Sequence, residues 1–211
     1  MIVQRQPKLV TSEEDRRAVE SLLLRTSIGG NPFVIIHPGA RKTAACWPPE
    51  RFASIIQAVL ERGLGVVLIG GAEERPVADL ISSMVPKTFA DLVGKLSVSR
   101  LIALMERCCL FIGNESGPMH VAAASGAPIV AIFGTNSPLR WGPLCADHTI
   151  VRPAMPCSCE FPQECRPPSP TRTFCIRRNC VVDVLAAIDA QLSRASRPAE
   201  PRTAAQAQRH R

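Results

Sequence analysis

The segment from Gly113 to His120 has the residue types and the spacing of a phosphate-binding turn. An apolar run precedes it and small apolar residues follow it, an order that predicts a buried strand, a tight turn and a helix. Backbone N–H groups at the start of such a helix lack intrahelical partners and bind phosphate readily. We expect Ser116 to cap this helix and Gly117 to let a ligand approach the backbone. His120 would then lie on the first helical turn, within reach of the ligand.

Two titratable residues of this segment have more than one interpretation. Glu115 would repel a phosphate bound at the same turn, so it either accepts hydrogen bonds from another part of the ligand or braces the turn itself. His120 would favour a bound phosphate if it were charged, but a lone histidine on the first turn of a helix can also be structural.

The elements that must position this turn alternate along the chain. Continuous apolar strands that alternate with helices are typical of a parallel sheet covered on both faces, and right-handed crossovers make such a sheet doubly wound. The sequence therefore predicts an α/β, Rossmann-like fold. The predicted strands are Phe33–Ile36, Val66–Gly71, Thr88–Val93, Cys108–Ile112 and Ile129–Gly134. The predicted helices are Glu13–Arg25, one from Pro48 or Pro49 to Leu60, Pro76–Met84, Val98–Arg107, Pro118–Ser125 and Val181–Leu192.

Glu73 follows the second predicted strand. Rossmann-like domains place an acidic residue near this position, where it binds the ribose hydroxyls of a nucleotide. The alternative is a solvated acid at the start of a helix, beside Glu74.

Composition limits the classes of function. The chain has 211 residues and a formal net charge of +7, which suits anionic partners or serves solubility alone. Aromatic residues make up 4% of the chain and tyrosine is absent, which argues against a nucleic-acid partner. No apolar run approaches the roughly 20 residues of a membrane helix, and the first residues lack a secretory signal pattern. A cytoplasmic location is therefore expected.

The chain divides into three predicted regions. Residues 1–30 are an N-terminal linker with a helix, residues 31–192 are the folded domain, and residues 193–211 are a disordered basic tail. A segment rich in cysteine and proline occupies residues 152–180 of the domain. Its thiols have three interpretations: a zinc site, disulfides, or free thiols. The candidate metal ligands are Cys157, Cys159, Cys165 and Cys175.

Several motifs, in order, resemble glycosyltransferase family 9, the ADP-heptose:lipopolysaccharide heptosyltransferase group. The resemblance covers about residues 28–192, the C-terminal half of such an enzyme. It implies the C-terminal domain of a GT-B glycosyltransferase, which binds the nucleotide-sugar donor. The motifs are His37–Ala40, Trp47–Phe52, Gly70–Glu74, Asp91–Lys95, Gly113–His120 and Phe133–Thr135.

The resemblance also assigns expected roles. Ser116 and Gly117 match a phosphate-contacting turn, Glu73 matches a ribose-binding glutamate, and Leu96 matches a position that borders the adenine or packs in the core. Glu115 and His120 match further donor-contact positions. The implied ligand is a nucleotide sugar, ADP-linked, with no other cofactor. The implied partner is a glycolipid or glycan acceptor, and peripheral contact with the inner face of a membrane is an open alternative.

Two departures from the family pattern bear on catalysis. The family has a lysine two residues before the Trp-Pro pair, where this chain has Ala45. Arg41 and Lys42 lie earlier in the same loop, and a long cation can reach the phosphate from a shifted position. In addition, the motifs match only the donor-binding half, so we expect no acceptor domain, which by the resemblance would supply the catalytic base. The chain is therefore interpreted as a glycosyltransferase donor domain, active in a full-length form or with a separately encoded acceptor domain, or as a truncated, non-catalytic nucleotide-sugar binding module.

Overall fold

The computed structural model describes residues 9–42, 45–134, 136–145, 147–153 and 175–195. Within these ranges the chain forms one parallel sheet in the strand order β3-β2-β1-β4-β5-β6. Its strands are β1 Phe33–His37, β2 Gly65–Leu68, β3 Ala90–Asp91, β4 Leu110–Asn114, β5 Ile129–Ile132 and β6 His148–Val151.

Helices cover both faces of the sheet. The helices are α1 Glu13–Leu24, α2 Pro49–Glu61, α3 Arg75–Met84, α4 Val98–Met105, α5 Gly117–Ala124, α6 Pro138–Trp141 and α7 Val181–Ala195. Short 3-10 segments span Ala72–Glu74 and Cys175–Arg178. Successive side chains of a strand point to opposite faces. Val34 and Ile36 of β1 therefore join the core under α2, α3 and α7, whereas Phe33 and Ile35 join the core under α1, α4 and α5.

The sheet has a switch point between β1 and β4. From β1 the chain builds outward through β2 to β3, and from β4 it builds in the opposite direction through β5 to β6. The carboxyl end of β1 pairs with that of β4, with His37 opposite Gly113. In doubly wound sheets a crevice opens at this point, because the following loops turn away from each other.

The predicted α/β fold is confirmed, with differences at the ends of elements. The strand predicted from Cys108 begins at Leu110 and runs to Asn114, and β3 is only two residues long. The sixth strand and α6 were not predicted. β6 lies at an edge of the sheet and is half-buried over three of its four residues, so it lacks the continuous apolar run that marks the central strands.

The ends of the folded domain also differ from the prediction. α7 continues through Ala195, so the first residues of the predicted disordered tail are helical. The rest of the tail, residues 196–211, lies outside the described residues, as does most of the cysteine- and proline-rich segment. No helix in the described ranges is long and apolar enough to cross a membrane.

α1 is part of the domain core, although the sequence placed it in a linker region. Val19 and Leu23 are fully buried in the same cluster as β1 and α4. Thr11, which precedes the helix, donates a hydrogen bond to Glu106 just after α4, and Arg16 forms an ion pair with the same carboxylate. The helix is thus fixed both by apolar burial and by polar contacts to α4.

Truncation of Leu23 tests this attachment. Leu23 is 1% exposed and its neighbour Leu24 is 65% exposed, so the two residues form a matched pair. We expect Leu23→Ala to lower the free energy of unfolding by about 2–5 kcal/mol, because it leaves a cavity in the core. Leu24→Ala should change it by less than about 0.5 kcal/mol. Urea unfolding followed by circular dichroism measures both, and equal effects would show that α1 is not part of the cooperative unit.

Candidate functional site

Two adjoining cavities open at the carboxyl edge of the sheet, at the switch point. Their volumes are about 590 Å³ and about 720 Å³. They meet at the turn before α5 and the loop after β1, because both are lined by Ala40, Arg41, Ser116 and Gly117. A ligand with two bulky ends and a narrow centre would fit this double shape.

The first cavity lies beside β2 and α4. Leu96 and Leu101 give it an apolar wall, and Glu73 lies at its rim with an exposed side chain. The second cavity lies beside the loop after β5 and is more polar. The residues that line it alone are Lys42, Ala45, Glu115, His120, Asn136, Ser137, Arg140 and Trp141.

Ser116 lies at the N-cap position of α5, as predicted, but its side chain does not cap the helix. Its hydroxyl instead donates a hydrogen bond to the Asn114 carbonyl, with an O···O distance of 3.1 Å, and lies 3.1 Å from Nδ1 of His37. The expectation of a side-chain cap is therefore wrong. The hydroxyl is held away from the helix N–H groups by residues at the ends of β1 and β4.

A buried histidine, His37, and a half-buried glutamate, Glu74, form a pair in the wall of the first cavity. His37 is 3% exposed, and its Nε2 lies 3.2 Å from the Glu74 carboxylate. The Gly71 N–H also donates to Glu74, at 2.7 Å. Burial alone would raise the pKa of Glu74, but the hydrogen bond and charge interaction with His37, with the bond from Gly71, hold it below its ordinary value.

Glycines make room for this carboxylate. A Cβ at Gly39 would lie 1.2 Å from one Glu74 oxygen, and a Cβ at Gly70 would lie 2.6 Å from the other. Both glycines belong to motifs found in the sequence, yet the pair that they accommodate was missed. The histidine of His-Pro-Gly and the second glutamate after Gly-Gly were the available signals.

Asn114 fixes the loop that carries the cationic residues. It is fully buried at the end of β4, and its Nδ2 donates to the Pro38 carbonyl at 2.7 Å. Its Oδ1 accepts the Trp47 N–H at 3.2 Å. One side chain thus holds both ends of the loop between β1 and α2, from which Arg41 and Lys42 reach the cavities.

Glu115 has a partner across the second cavity. Asn136 donates a hydrogen bond to its carboxylate, with an N···O distance of 2.5 Å. Burial raises the pKa of Glu115 despite this bond and the nearby charge of Lys42. Burial also lowers the pKa of His120, which favours the neutral imidazole at neutral pH.

The chain matches the model of a known protein family and several of its members. The model of glycosyltransferase family 9 (heptosyltransferase) matches residues 3–169. The chain belongs to glycosyltransferase family 9. The chain is 32% identical over 130 residues to lipooligosaccharide heptosyltransferase 2 of Haemophilus influenzae, an alignment that covers 59% of this chain and 38% of that protein.

Solved structures show the same fold. A family 9 glycosyl transferase from Veillonella parvula superposes with a TM-score of 0.77 at 25% identity, over 89% of this chain and 54% of that one. The ADP-heptose lipopolysaccharide heptosyltransferase II of Escherichia coli gives a TM-score of 0.75 at 23% identity, over 93% of this chain and 57% of that one. The chain therefore spans little more than half the length of these family 9 structures.

The family 9 fold brings the predicted site residues together. Each of them lines at least one of the two cavities; they are Arg41, Lys42, Glu73, Leu96, Glu115, Ser116, Gly117 and His120. Sequence reasoning missed His37, Glu74, Asn114, Asn136, Arg140 and Trp141. Of the candidate metal ligands, Cys175 is buried and the other three lie outside the described residues. Among the described residues no group of acidic, histidine or cysteine side chains is placed to hold a metal ion.

The contact between His37 and Glu74 predicts how the stability of the fold depends on pH. Because the pKa of Glu74 is lower in the folded chain, its carboxylate stabilises the fold above its ordinary pKa, and this contribution is lost as the pH falls through the folded value. We expect Glu74→Gln to remove that part of the dependence. Urea midpoints at pH 7 and at about pH 3.5 should therefore differ less for Glu74→Gln than for the unsubstituted chain. If the urea midpoint shifts equally with pH in Glu74→Gln and in the unsubstituted chain, Glu74 is not the source of the pH dependence.

Proposed function

We propose that this chain is the donor-binding half of a glycosyltransferase of the heptosyltransferase type. In this proposal it binds a nucleotide-diphosphate sugar, an ADP-linked heptose, for transfer to a lipopolysaccharide-type glycan. The observation that carries the proposal is the start of α5 at the switch point, where both cavities meet at Ser116 and Gly117. The start of a helix attracts a diphosphate, and the two cavities extend from it in opposite directions.

The two cavities suit the two ends of such a donor. The apolar wall at Leu96 and Leu101 fits a nucleobase, and Glu73 at the rim fits ribose hydroxyls. The second cavity offers Glu115, Asn136 and other polar groups to a sugar. The family name and that of the Haemophilus influenzae relative support heptose as the sugar.

The site favours departure of the nucleoside diphosphate. Sugar transfer with inversion requires stabilisation of the negative charge that develops on the leaving diphosphate. Arg41 lines both cavities and Lys42 lines the second, so both cations can reach a diphosphate at the junction. The acceptor proton must go to a general base. We propose that this base comes from an acceptor domain, placed at the cytoplasmic face of the inner membrane where a glycolipid acceptor is presented.

A second function is favoured by one residue. Ala45 stands at the position of the family's lysine and lines the second cavity. Loss of that cation weakens leaving-group stabilisation more than it weakens binding, because charge develops in the transition state. The alternative is therefore a module that binds a nucleotide sugar without transferring it.

Binding is tested by replacing Gly117. The backbone there accepts any residue, and a Cβ would meet nothing within 4 Å. In Gly117→Asp the new carboxylate would repel a diphosphate, although an acid in the first turn suits the helix. We expect ADP affinity to fall about tenfold or more without loss of thermal stability, since like charges a few Å apart repel strongly. Calorimetric titration of ADP, UDP and ADP-heptose provides the measurement.

Gly30→Asp is the matched control. Gly30 is likewise exposed and has open space around it, but it precedes β1 and so lies at the opposite edge of the sheet. The Gly30→Asp variant should leave the affinity for ADP unchanged. The proposal fails if none of the three ligands binds the unsubstituted chain, or if both aspartate variants bind ADP equally.

A transfer assay distinguishes the glycosyltransferase from the binding module. The full chain is mixed with ADP-heptose and a lipopolysaccharide core that lacks heptose, with and without an acceptor domain from a family 9 relative. Heptose transfer in either mixture supports the enzyme. Binding of ADP-heptose without transfer in both mixtures supports the binding module.

A further inference from the structure

The second cavity has an aromatic wall to which no role has yet been given. Trp141 ends α6 and lines this cavity. It is 45% exposed, whereas Trp47, the other tryptophan of the chain, is 1% exposed. An indole carries a large apolar surface, and binding cavities combine such surfaces with a few polar groups that orient the ligand. Trp141 is therefore a candidate ligand contact.

The backbone at Trp141 is held in place on both sides. The Trp141 N–H donates to the Ser137 carbonyl at 3.0 Å, and the Gly142 N–H donates to the Pro138 carbonyl at 2.8 Å. A Cβ at Gly142 would lie 2.4 Å from that same Pro138 oxygen, so this tight end of the helix admits only glycine. The indole is therefore attached at a fixed point of the cavity wall, although α6 is a short helix.

The ring of Trp141 is also restrained by a neighbouring cation. The guanidinium of Arg140 lies over the indole, with Cζ 5.3 Å from the ring centroid. A cation above an aromatic ring is attracted by the negative charge of the ring face. A restrained side chain loses less conformational entropy when a ligand packs against it. The exposed part of the indole is thus partly ordered before any ligand binds.

Polar groups of the same cavity have a fixed relation to this indole. Asn136 lies between β5 and α6, and it donates to the Glu115 carboxylate with an N···O distance of 2.5 Å. Glu115 follows β4 directly. The bond therefore ties the segment that leads to Trp141 to the turn before α5. The cavity presents hydrogen-bonding groups and a flat apolar surface together.

A sugar ring has the chemistry that this combination recognises. A pyranose carries hydroxyls around its rim and C–H bonds on its faces, and the negative face of an aromatic ring attracts such C–H groups. A phosphate has no apolar face to offer the indole. A wholly apolar group would desolvate Glu115 without replacing the hydrogen bonds that its carboxylate makes with water.

We propose that Trp141 is the platform on which the sugar ring of the donor packs, with Glu115 and Asn136 at the hydroxyl rim of that ring. This inference rests on the proposed function, because the sugar is the one linked to the diphosphate. The second cavity includes Ser116 and Gly117, so a sugar linked to a diphosphate at that turn enters it directly. The platform makes Trp141 a specificity-determining residue that favours the nucleotide sugar over the free nucleotide. A nucleotide that has lost its sugar loses this contact and dissociates more readily.

Calorimetry of the full chain tests the platform by comparing ADP with ADP-heptose. We expect Trp141→Ala to lower the affinity for ADP-heptose about tenfold, because a sugar packed on an aromatic ring loses that contact. The affinity for ADP should change by less than about twofold, since ADP has no sugar beyond its diphosphate. Trp141→Phe keeps an aromatic face and should retain most of the affinity for ADP-heptose.

Leu139→Ala is the matched control. Leu139 belongs to the same helix and is fully exposed, but it lines neither of the two cavities. The affinities of this variant for ADP and for ADP-heptose should equal those of the unsubstituted chain.

Tryptophan fluorescence provides a second readout that needs no substitution. Acrylamide quenches exposed indoles, so it should quench Trp141 and spare the buried Trp47. We expect ADP-heptose to protect Trp141 from acrylamide and ADP to leave it accessible. The Trp141→Phe chain, in which Trp47 is the remaining tryptophan, gives the background. Protection by a lipopolysaccharide core that lacks heptose, without protection by ADP-heptose, would assign the platform to the acceptor and overturn the inference.

The outcomes distinguish this inference from the proposed function. If neither ADP nor ADP-heptose binds the unsubstituted chain, the proposed function fails and the platform with it. If both bind, but Trp141→Ala weakens them equally or weakens neither, the donor site stands and the role of Trp141 is wrong. Should Trp141→Ala fail to fold, quenching of the unsubstituted chain decides, and equal quenching with and without ADP-heptose would overturn the inference.

Discussion

The pairing of β1 with β4 is the constraint on which the site depends. The two strands run side by side with His37 opposite Gly113, and their connections then leave in opposite directions. A Cβ at Gly113 would lie 2.9 Å from the His37 carbonyl oxygen and from the Phe111 ring, so this register admits only glycine. Because the strand ends are fixed here, Asn114 and His37 lie within reach of the same loops.

Much of the site follows from this pairing without any special chemistry. Parallel strands deliver their carboxyl ends to one edge, and the loops that follow them carry the polar residues. Asn114 then fastens the loop after β1 to β4, while Glu74 enters from the loop after β2. His37 ends β1, Asn114 ends β4 and Glu74 follows β2, so three neighbouring strands each deliver one polar side chain to the same edge of the sheet.

Sequence patterns revealed the central strands and the loop residues for a physical reason. A buried strand appears in the sequence as a continuous run of apolar residues. The residues just after such a run must lie at the carboxyl edge of the sheet. The contact between His37 and Glu74 has no such local pattern, because it joins the end of β1 to the segment after β2, and these come together only when the sheet forms. β6 was not predicted, because a strand at the edge of a sheet has a neighbouring strand on one side only and lacks a continuous apolar run. The orientation of the Ser116 hydroxyl was not predicted either, because its partner, His37, is far away in sequence.

The shortness of β3 affects how the pocket can change during evolution. Beyond β3 the chain is attached to β2 by backbone bonds, from the Leu92 N–H to the Leu68 carbonyl and from the Gly94 N–H to the Gly70 carbonyl, each 2.9 Å long. These bonds do not depend on which side chains follow. The edge of the sheet is therefore attached without help from the side chains that the segment beginning at Leu96 presents to the first cavity. The lining of the first cavity and the pairing of the sheet are, in this domain, separately mutable traits.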